Sequence, residues 1–485
     1  MAYSKYRLVP VGLATSLLIG CGGMSAPGSV TPGPQPVEHT DVTFLLSSTA
    51  NDQLVQANLT FTSFTLTDKV GNTVEVLAAP ESAEFTHLNG NVESLVTLKV
   101  PQGVYTAASA TLGPSNFSCV IRDSSGGLMT GSFSVVAAAP TVSLPQPIAI
   151  TGVHMAMLLN LEVSPGQAHS ICYSGTGSQP YTVTPALELT RVAAAVQPTN
   201  SENGKESNLE GLITAIAANA GSFNVAAADR LAWSVATNGS TVFQGVGGFS
   251  ELVAGLPVDM DVTLQADGSL LATRVAVTDT SATDLTIWHG PLVFVSNAVA
   301  ELLVFNTETR GQLFPGNSVD YEGGPWGLDF GSAAFRISAQ FSNLQSLPFS
   351  ASFNATNMVA GQNVYVTTHV PKFPNSPNLV AVTTVTLVPQ TINGTVTAVS
   401  SAGGFTTYTV ALAAYDLFSA LAQQPGQTTI LNSPNSVVVY VDGSTQMLNS
   451  MPLAEGSVLR FNGLVFNDNG TLRMDCAQVM DGVTP

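Results

Sequence analysis

Three stretches of the chain open alike, each from a glycine: Gly211-Leu-Ile-Thr-Ala-Ile-Ala217, Gly290-Pro-Leu-Val-Phe-Val-Ser296 and Gly394-Thr-Val-Thr-Ala-Val-Ser400. Each copy then reaches a turn glycine ahead of a long apolar segment, at Gly255, Gly361 and Gly456, and closes on one more strand-like segment. Because the order and the phase of these features agree, they indicate tandem structural repeats. The sequence therefore predicts three consecutive modules.

The strand pattern of the repeats predicts their architecture. We place the modules at 208–279, 287–388 and 391–482, and the second carries an inserted loop at 306–334. In the third module, apolar alternation indicates five strands, near 394–400, 405–412, 437–442, 458–466 and 472–480. Five short strands with glycine at the bends suit a small, partly closed OB-like barrel, because closure removes exposed sheet edges.

Residues 41–195 have a different texture, with short Val/Thr/Phe/Leu runs separated by Gly, Pro and Asn. Thr65–Val76 predicts a hairpin and Leu98–Thr106 a strand–turn–strand. Regular spacing of such units is typical of a β-sandwich. The polar stretch 196–207 predicts a linker. The expected fold class is all-β: an N-terminal β-sandwich followed by three tandem small barrels.

Two resemblances to families of uncharacterised bacterial domains accompany this reading. Val42–Leu46, Leu59–Asp68 and Leu98–Ala107, with its Pro-x-Gly-x-Tyr-Thr turn, resemble the DUF4382 family. Gly211-x-x-Thr-Ala, Gly239-Ser-Thr-Val-Phe243, Leu252-x-x-Gly255-x-x-Val258 and Ala272-x-Arg274-Val275 resemble DUF5666. The third module replaces the last of these motifs with Cys476-Ala477-Gln478-Val479, and the second departs most. Neither resemblance implies an activity or a ligand.

The N-terminus predicts export. Lys5 and Arg7 precede an apolar run, Leu8–Ile19, that is too short to span a membrane. The segment Leu18-Ile19-Gly20-Cys21 resembles the lipobox of bacterial lipoproteins. That resemblance implies a diacylglycerol on Cys21, removal of the signal peptide 1–20 and acylation of the new amine. The alternative is an ordinary signal peptide with an incidental cysteine.

The residues after Cys21 predict the mode of attachment. Residues 21–40 are a Gly/Ser/Pro tether. Gly22, in place of the Asp that retains many lipoproteins at the inner membrane, favours the outer membrane. Several acyl chains suffice for stable anchoring. We therefore expect a monomer in the cell envelope whose membrane contact is its lipid.

Composition excludes one class of partner. The chain has 485 residues with Lys+Arg 14 against Asp+Glu 32, a net charge of −18, and 9% charged residues. Nucleic-acid binding requires clustered Lys and Arg to neutralise phosphates, and this chain has few to cluster. We expect no nucleic-acid partner.

Candidate chemistry is sparse. Cys119 and Cys172 share the sandwich, so a disulfide is allowed in an exported protein, with two buried thiols as the alternative. Cys476 has the pattern of a core residue. The chain has no Cys-x-x-Cys and no Gly-x-Ser-x-Gly motif, and its six histidines are scattered. Asp259 and Asp261 share a strand face and could bind Ca²⁺ or act as acid and base, although a solvated face is favoured. We predict no catalytic residues, metal or cofactor.

The second module's insert is the candidate binding site. Tyr321, Glu322, Trp326 and Asp329 combine aromatic rings with carboxylates, a combination that could hold a sugar. The favoured alternative is a plug, with Trp326 and Phe330 packed into the barrel. We predict a lipid-anchored envelope protein with a non-catalytic binding or scaffolding role. A glycan-binding protein is the alternative, an envelope protein is another possible partner, and a carboxylate hydrolase is third.

Overall fold

The fold is described from a computed structural model. It covers residues 38–482 apart from the following stretches: 49–53, 78, 86–92, 123–127, 136–138, 163–180, 184, 193–204, 228–229, 266–268, 278–284, 297–298, 305, 310–324, 339–340, 342–343, 370–378, 414–415, 424–428, 448 and 450. The regular structure of the described residues is nearly all β-strand, which confirms the all-β prediction. No helix in the described part of the chain is long and apolar enough to cross a membrane.

The N-terminal domain is a sandwich of two sheets. Its strands are β1 (His39–Ser48), β2 (Leu54–Asp68), β3 (Thr73–Glu75), β4 (Glu81–Glu84), β5 (Glu93–Pro101), β6 (Gly103–Leu112), β7 (Asn116–Arg122), β8 (Leu128–Val135), β9 (Thr141–Ser143), β10 (Ile148–Ile150), β11 (His154–Glu162), β12 (Tyr181–Val183) and β13 (Ala186–Arg191). One sheet has the order β5-β1-β11-β13-β9 and the other β10-β6-β2-β7-β8-β12. Their facing side chains, among them Phe44, Phe61 and Met157, form one buried core.

Two local signals in the sandwich have clear physical causes. The predicted hairpin is present, because β2 pairs with β3 across a turn in which Asp68 Oδ1 accepts hydrogen bonds from the Val70 and Asn72 N–H groups. Gly71 takes the left-handed φ of +93° that this turn requires. The turn after Pro101 instead carries the chain from one sheet to the other, since β5 and β6 lie in different sheets.

The three modules supply the remaining strands. In the first barrel they are β14 (Lys205–Ala217), β15 (Ser222–Ala227), β16 (Arg230–Ala236), β17 (Val242–Gln244), β18 (Pro257–Leu264) and β19 (Leu270–Val277). In the second they are β20 (Leu285–Val295), β21 (Val299–Leu303), β22 (Asn306–Thr309), β23 (Pro325–Asp329), β24 (Ala334–Ile337), β25 (Asn363–His369) and β26 (Leu379–Leu387). In the third they are β27 (Gln390–Ala402), β28 (Phe405–Leu412), β29 (Ser436–Val441), β30 (Gln446–Met447), β31 (Val458–Asp468) and β32 (Thr471–Asp481), with helix α1 (Leu417–Ala422) after β28.

All three modules share one closed topology. The first barrel runs β16-β15-β14-β18-β19, and β19 pairs back in parallel with β16. The second closes in the same way through β26 and β23, and the third through β32 and β29. A meander of three strands, then two more, with a parallel closing pair, is the OB-like arrangement predicted from the repeats.

The repeat glycines have the same role in each barrel. They are Gly255, Gly361 and Gly456, with φ of +92°, +96° and +87°. Their N–H groups donate to Ile213, Leu292 and Val396 of the first strand, over 2.8, 2.7 and 2.8 Å. The first strand has its bulge at that same residue in each copy. Only a residue that tolerates positive φ can close this turn, and glycine does so without steric cost.

The second and third barrels share a core. Leu464, Phe466 and Ala477 lie on the outer face of the third barrel, yet they are buried in the apolar cluster that fills the second. Gln362 Nε2 donates 2.8 Å to the Val465 carbonyl, and Thr429 Oγ1 donates 3.0 Å to the Met358 carbonyl. These two barrels are therefore one packed unit.

The extra length of the second module lies partly where the sequence did not indicate it. Within residues 306–334, Pro325–Asp329 is the barrel strand β23. A second long connection runs from the end of β24 at Ile337 to the start of β25 at Asn363, whereas the same connection in the first barrel runs only from Gln244 to Pro257. We call its residues 344–357 the strap.

Candidate functional site

The structure describes two of the four predicted sugar-binding residues, Trp326 and Asp329, and they differ in exposure. Trp326 on β23 packs against the fully buried Trp288, with ring centroids 5.4 Å apart. Phe330 is buried in the same core. Asp329 is exposed, and its Oδ1 accepts a 3.1 Å hydrogen bond from the Gly331 N–H. Tyr321 and Glu322 lie outside the described residues. The two aromatic rings of this stretch therefore contribute to the core of the second barrel.

Two of the four cysteines, Cys119 and Cys476, lie among the described residues. Cys119 lies on β7, while Cys21 and Cys172 fall outside the described residues, so the lipidation and the disulfide stay predictions. Cys476 is buried in the core of the third barrel, where its thiol donates to the Gln478 carbonyl. Burial, reinforced by the nearby Asp475, raises the pKa of the Cys476 thiol well above its ordinary value.

Asp259 and Asp261 do share a face of β18, and both bind Arg274 on the neighbouring β19. Arg274 Nε lies 2.8 Å from Asp261 Oδ2, its Nη2 lies 3.2 Å from Asp261 Oδ1, and the same Nη2 lies 3.1 Å from Asp259 Oδ2. The other oxygen of Asp259 is buried with no hydrogen-bond partner. The guanidinium lies between the two carboxylates, and this occupies the positions from which they would hold a cation. Among the described residues, no cluster of three His, Cys, Asp or Glu side chains could hold a metal ion.

The ionisation of this cluster follows from burial and charge. Burial raises the pKa of Asp259, the charge and hydrogen bond of Arg274 lower it, and the net result lies above the ordinary value. Burial lowers the pKa of Arg274. Its hydrogen bond to Asp261 and the charges of both carboxylates raise the pKa by more than burial lowers it, so the pKa lies above the ordinary value. Arg274 thus stays charged, and Asp261 supplies the stronger, two-contact ion pair.

The aromatic cluster on the third barrel was not anticipated from the sequence. Phe405 opens β28, Tyr440 lies on β29, and their ring centroids are 6.0 Å apart. Phe349 of the strap lies 4.8 Å from the Tyr440 ring and 5.8 Å from the Phe466 ring. The Arg473 guanidinium carbon is 5.7 Å from the centre of the Phe349 ring and 5.8 Å from that of Tyr440. Such distances are those of cation–π contacts.

Hydrogen bonds fix the guanidinium of this cluster. Arg473 Nε lies 2.7 Å from Asp468 Oδ2, and Arg473 Nη1 also donates to the Tyr440 hydroxyl. Leu347 of the strap is buried beside Phe405 and Tyr440.

The sequence signal that could have found the strap is the spacing of Phe341, Phe349 and Phe353 ahead of the turn glycine, in a connection that is short in the other copies.

Comparisons with known proteins match one part of the chain to a known family. One solved structure, "drosophila Unr CSD456", is 11% identical, with 57% of this chain and 97% of that chain covered and a TM-score of 0.12. No curated protein matches the chain. Residues 210–276, which form most of the first barrel, match DUF5666, a domain of unknown function.

Proposed function

We propose that this protein is a lipid-anchored component of the bacterial cell envelope with a non-catalytic binding or scaffolding role. The observation that carries the proposal is the lipobox-like segment Leu18–Cys21 followed by the Gly/Ser/Pro tether. Attached through Cys21, a Gly/Ser/Pro-rich segment of this kind would act as a spacer between the lipid and the folded domains.

The geometry of the barrels supports a non-catalytic role. The paired carboxylates of the first barrel are bound to Arg274, so they are not a pair of free acids facing a cleft. The second and third barrels are joined through a common apolar core, as expected for a rigid spacer or a platform. The DUF4382-like sandwich would lie nearest the membrane in this arrangement.

The anchor is tested by substitution at its attachment point. Cells producing the full chain with Cys21→Ser should incorporate no radiolabelled palmitate into it, and the protein should move from the membrane to the soluble fraction. Ser25→Ala, in the same tether, is the matched control and should behave as the wild type does. A Cys21→Ser protein that is still labelled and membrane-bound would overturn the anchor.

Glycan binding through the Tyr321–Phe330 loop is the alternative role. Its one described and exposed polar group is Asp329, because Trp326 is packed on Trp288. Purified protein applied to a glycan array should show no retention that depends on Asp329. Retention that is lost in Asp329→Asn but kept in Glu301→Gln, an exposed carboxylate of the neighbouring strand β21, would favour the glycan-binding role over scaffolding.

A further inference from the structure

The aromatic cluster of the third barrel lies where OB-like barrels hold their ligands. That position is the outer face of the second and third strands, bordered by the loop between strands one and two and the loop between strands four and five. Phe405 directly follows Gly403-Gly404, the first of these loops, and Tyr440 lies on the third strand. Arg473 stands just after the Asn469-Gly470 turn, the second of them. Phe405, Tyr440 and Arg473 therefore line such a face, and we call them the platform.

The platform is occupied by the strap. Leu347 is 9% exposed and lies against Phe405 and Tyr440, and the Phe349 ring packs at a tilt against Tyr440, beneath the Arg473 guanidinium. Leu344–Ser346 form one turn of 3-10 helix, and the chain then bends through Leu347, Pro348 and Phe349, with Pro348 exposed. A bent Leu-Pro-Phe segment thus lies on the aromatic and guanidinium surface as a short apolar peptide would.

The fold itself does not require this platform. In the first barrel the residue equivalent to Tyr440 is Ala236, and the residue equivalent to Arg473 is Ser269, as the strand registers show. That barrel has the same closed topology without an aromatic platform. The platform of the third barrel is thus absent from the first, and the strap covers it with apolar side chains.

We propose that the platform is a peptide-binding site and that the strap is a built-in competitor which occupies it. The partner class is an apolar peptide that carries a Leu-Pro-Phe-like triplet in a bent conformation. Phe341, just before the strap, and Phe353, near its end, are buried in the core of the second barrel, so the strap is held at the platform at high local concentration. A tethered segment of this kind has an effective concentration on the order of millimolar, and only tighter or more abundant partners displace it.

This proposal rests on the proposed binding role and names a site and a partner class for it. Its test does not involve the lipid anchor, so the anchor and the peptide-binding platform can fail independently. The probe is a fluorescein-labelled peptide of residues 344–357. Its binding to the purified full-length protein is measured by fluorescence anisotropy. The release variant is Leu347→Ser with Phe349→Ser, which removes the buried leucine and the aromatic ring with which the strap contacts the platform. Gln345→Ala with Ser350→Ala changes two exposed strap residues and is the matched control.

The release variant should bind the peptide at least about tenfold more tightly than the wild type, because the internal competitor is weakened. Adding Tyr440→Ala to the release variant should remove at least about tenfold of that affinity, since stacking on the platform is lost. The control variant should bind as weakly as the wild type.

Several results would overturn the proposal. A folded release variant that binds the peptide no better than the wild type shows that the platform is only a structural seam. Binding that survives Tyr440→Ala places the peptide elsewhere. If the release variant melts without cooperativity, Phe349→Leu is measured instead and should tighten binding by a smaller factor. If that variant also unfolds or gains no affinity, the strap is an obligate part of the core and the proposal falls.

Discussion

The first and third barrels have the same fold, but equivalent positions on their outer faces are polar in the first barrel and apolar in the third. Strand registers align Thr263 and Gln265 of the first with Leu464 and Phe466 of the third. The first pair is half-buried and hydrogen-bonded, with Gln265 Nε2 donating 3.0 Å to Thr263 Oγ1. The second pair is fully buried against the second barrel.

The charged side chains on the outer face of the first barrel are replaced by neutral amides in the third. Asp261 and Arg274 align with Asn462 and Gln478, both nearly inaccessible in the third barrel. An ion pair suits the half-exposed face, because burying charges costs more than burying neutral amides. The comparison teaches that inward residues and turn glycines specify the barrel, while its neighbours determine the composition of its outer face.

The largest expected effect comes from giving the third barrel the outer face of the first. Phe466→Gln should lower the free energy of unfolding by about 3–5 kcal/mol, since it removes a fully buried ring from the shared core. The reciprocal change Gln265→Phe, on the half-exposed face, should shift it by no more than about 1 kcal/mol. Urea unfolding followed by circular dichroism measures both. Similar small losses would mean that the barrels do not share a core.

A smaller effect separates the two carboxylates of the first barrel. Asp261→Asn should cost about 1.5–3 kcal/mol, because the neutral amide loses the ion pair and can accept only one of the two hydrogen bonds that Arg274 Nε and Nη2 donate to Asp261. Asp259→Asn should cost less, since one oxygen of Asp259 is buried without a partner. Equal losses would contradict the assignment of the stronger ion pair to Asp261.

The same pair predicts a pH dependence. Because the folded-state pKa of Asp259 lies above its ordinary value, the folded chain holds more protons than the unfolded chain between those two values. The contribution of this group to stability is therefore fully present below the ordinary value and declines as the pH rises through the raised one. Asp259→Asn should remove that slope from a series of thermal midpoints taken across the acidic range. A slope that is unchanged in the variant would assign it to other groups.

The smallest effect is expected in the barrel interiors, where the copies are most alike. Cys476 aligns with Ala272, and each has its carbonyl bound by the hydroxyl of an equivalent threonine, Thr445 and Thr241. Cys476→Ala should cost about 1 kcal/mol or less, because the interior already accepts alanine at this position.

Burial raises the pKa of the Cys476 thiol, so iodoacetamide at neutral pH should leave it unmodified until the chain unfolds. Rapid alkylation of Cys476 in the folded protein would contradict its burial.

Much of the fold was predictable because its signals are local. The glycines at 255, 361 and 456 mark turns that need a positive φ, and alternation places Val437, Val439 and Val441 inside the third barrel. The five strands expected in the third module appear at β27, β28, β29, β31 and β32. Period-two patterning determines which face of each strand is buried, so it was sufficient for this result.

The candidate sites were less predictable because they depend on long-range contacts. The grouping of Trp326 with Asp329 was expected from their position on one loop, but β23 is a strand, and residues three apart on a strand point to opposite faces. The Asp259–Arg274–Asp261 cluster depends on the register between two strands. That register became known only from the fold.

The sequence by itself determined the all-β class, the three repeats and the strand order within the third repeat, because spacing and alternation are properties of neighbouring residues. It also carries the lipobox-like segment at Cys21. Only the tertiary structure decided that the second and third barrels share a core and that the strap covers Phe405 and Tyr440. Outer strand faces follow the same alternation whether water or another domain covers them, so burial there is decided by the packing of distant segments.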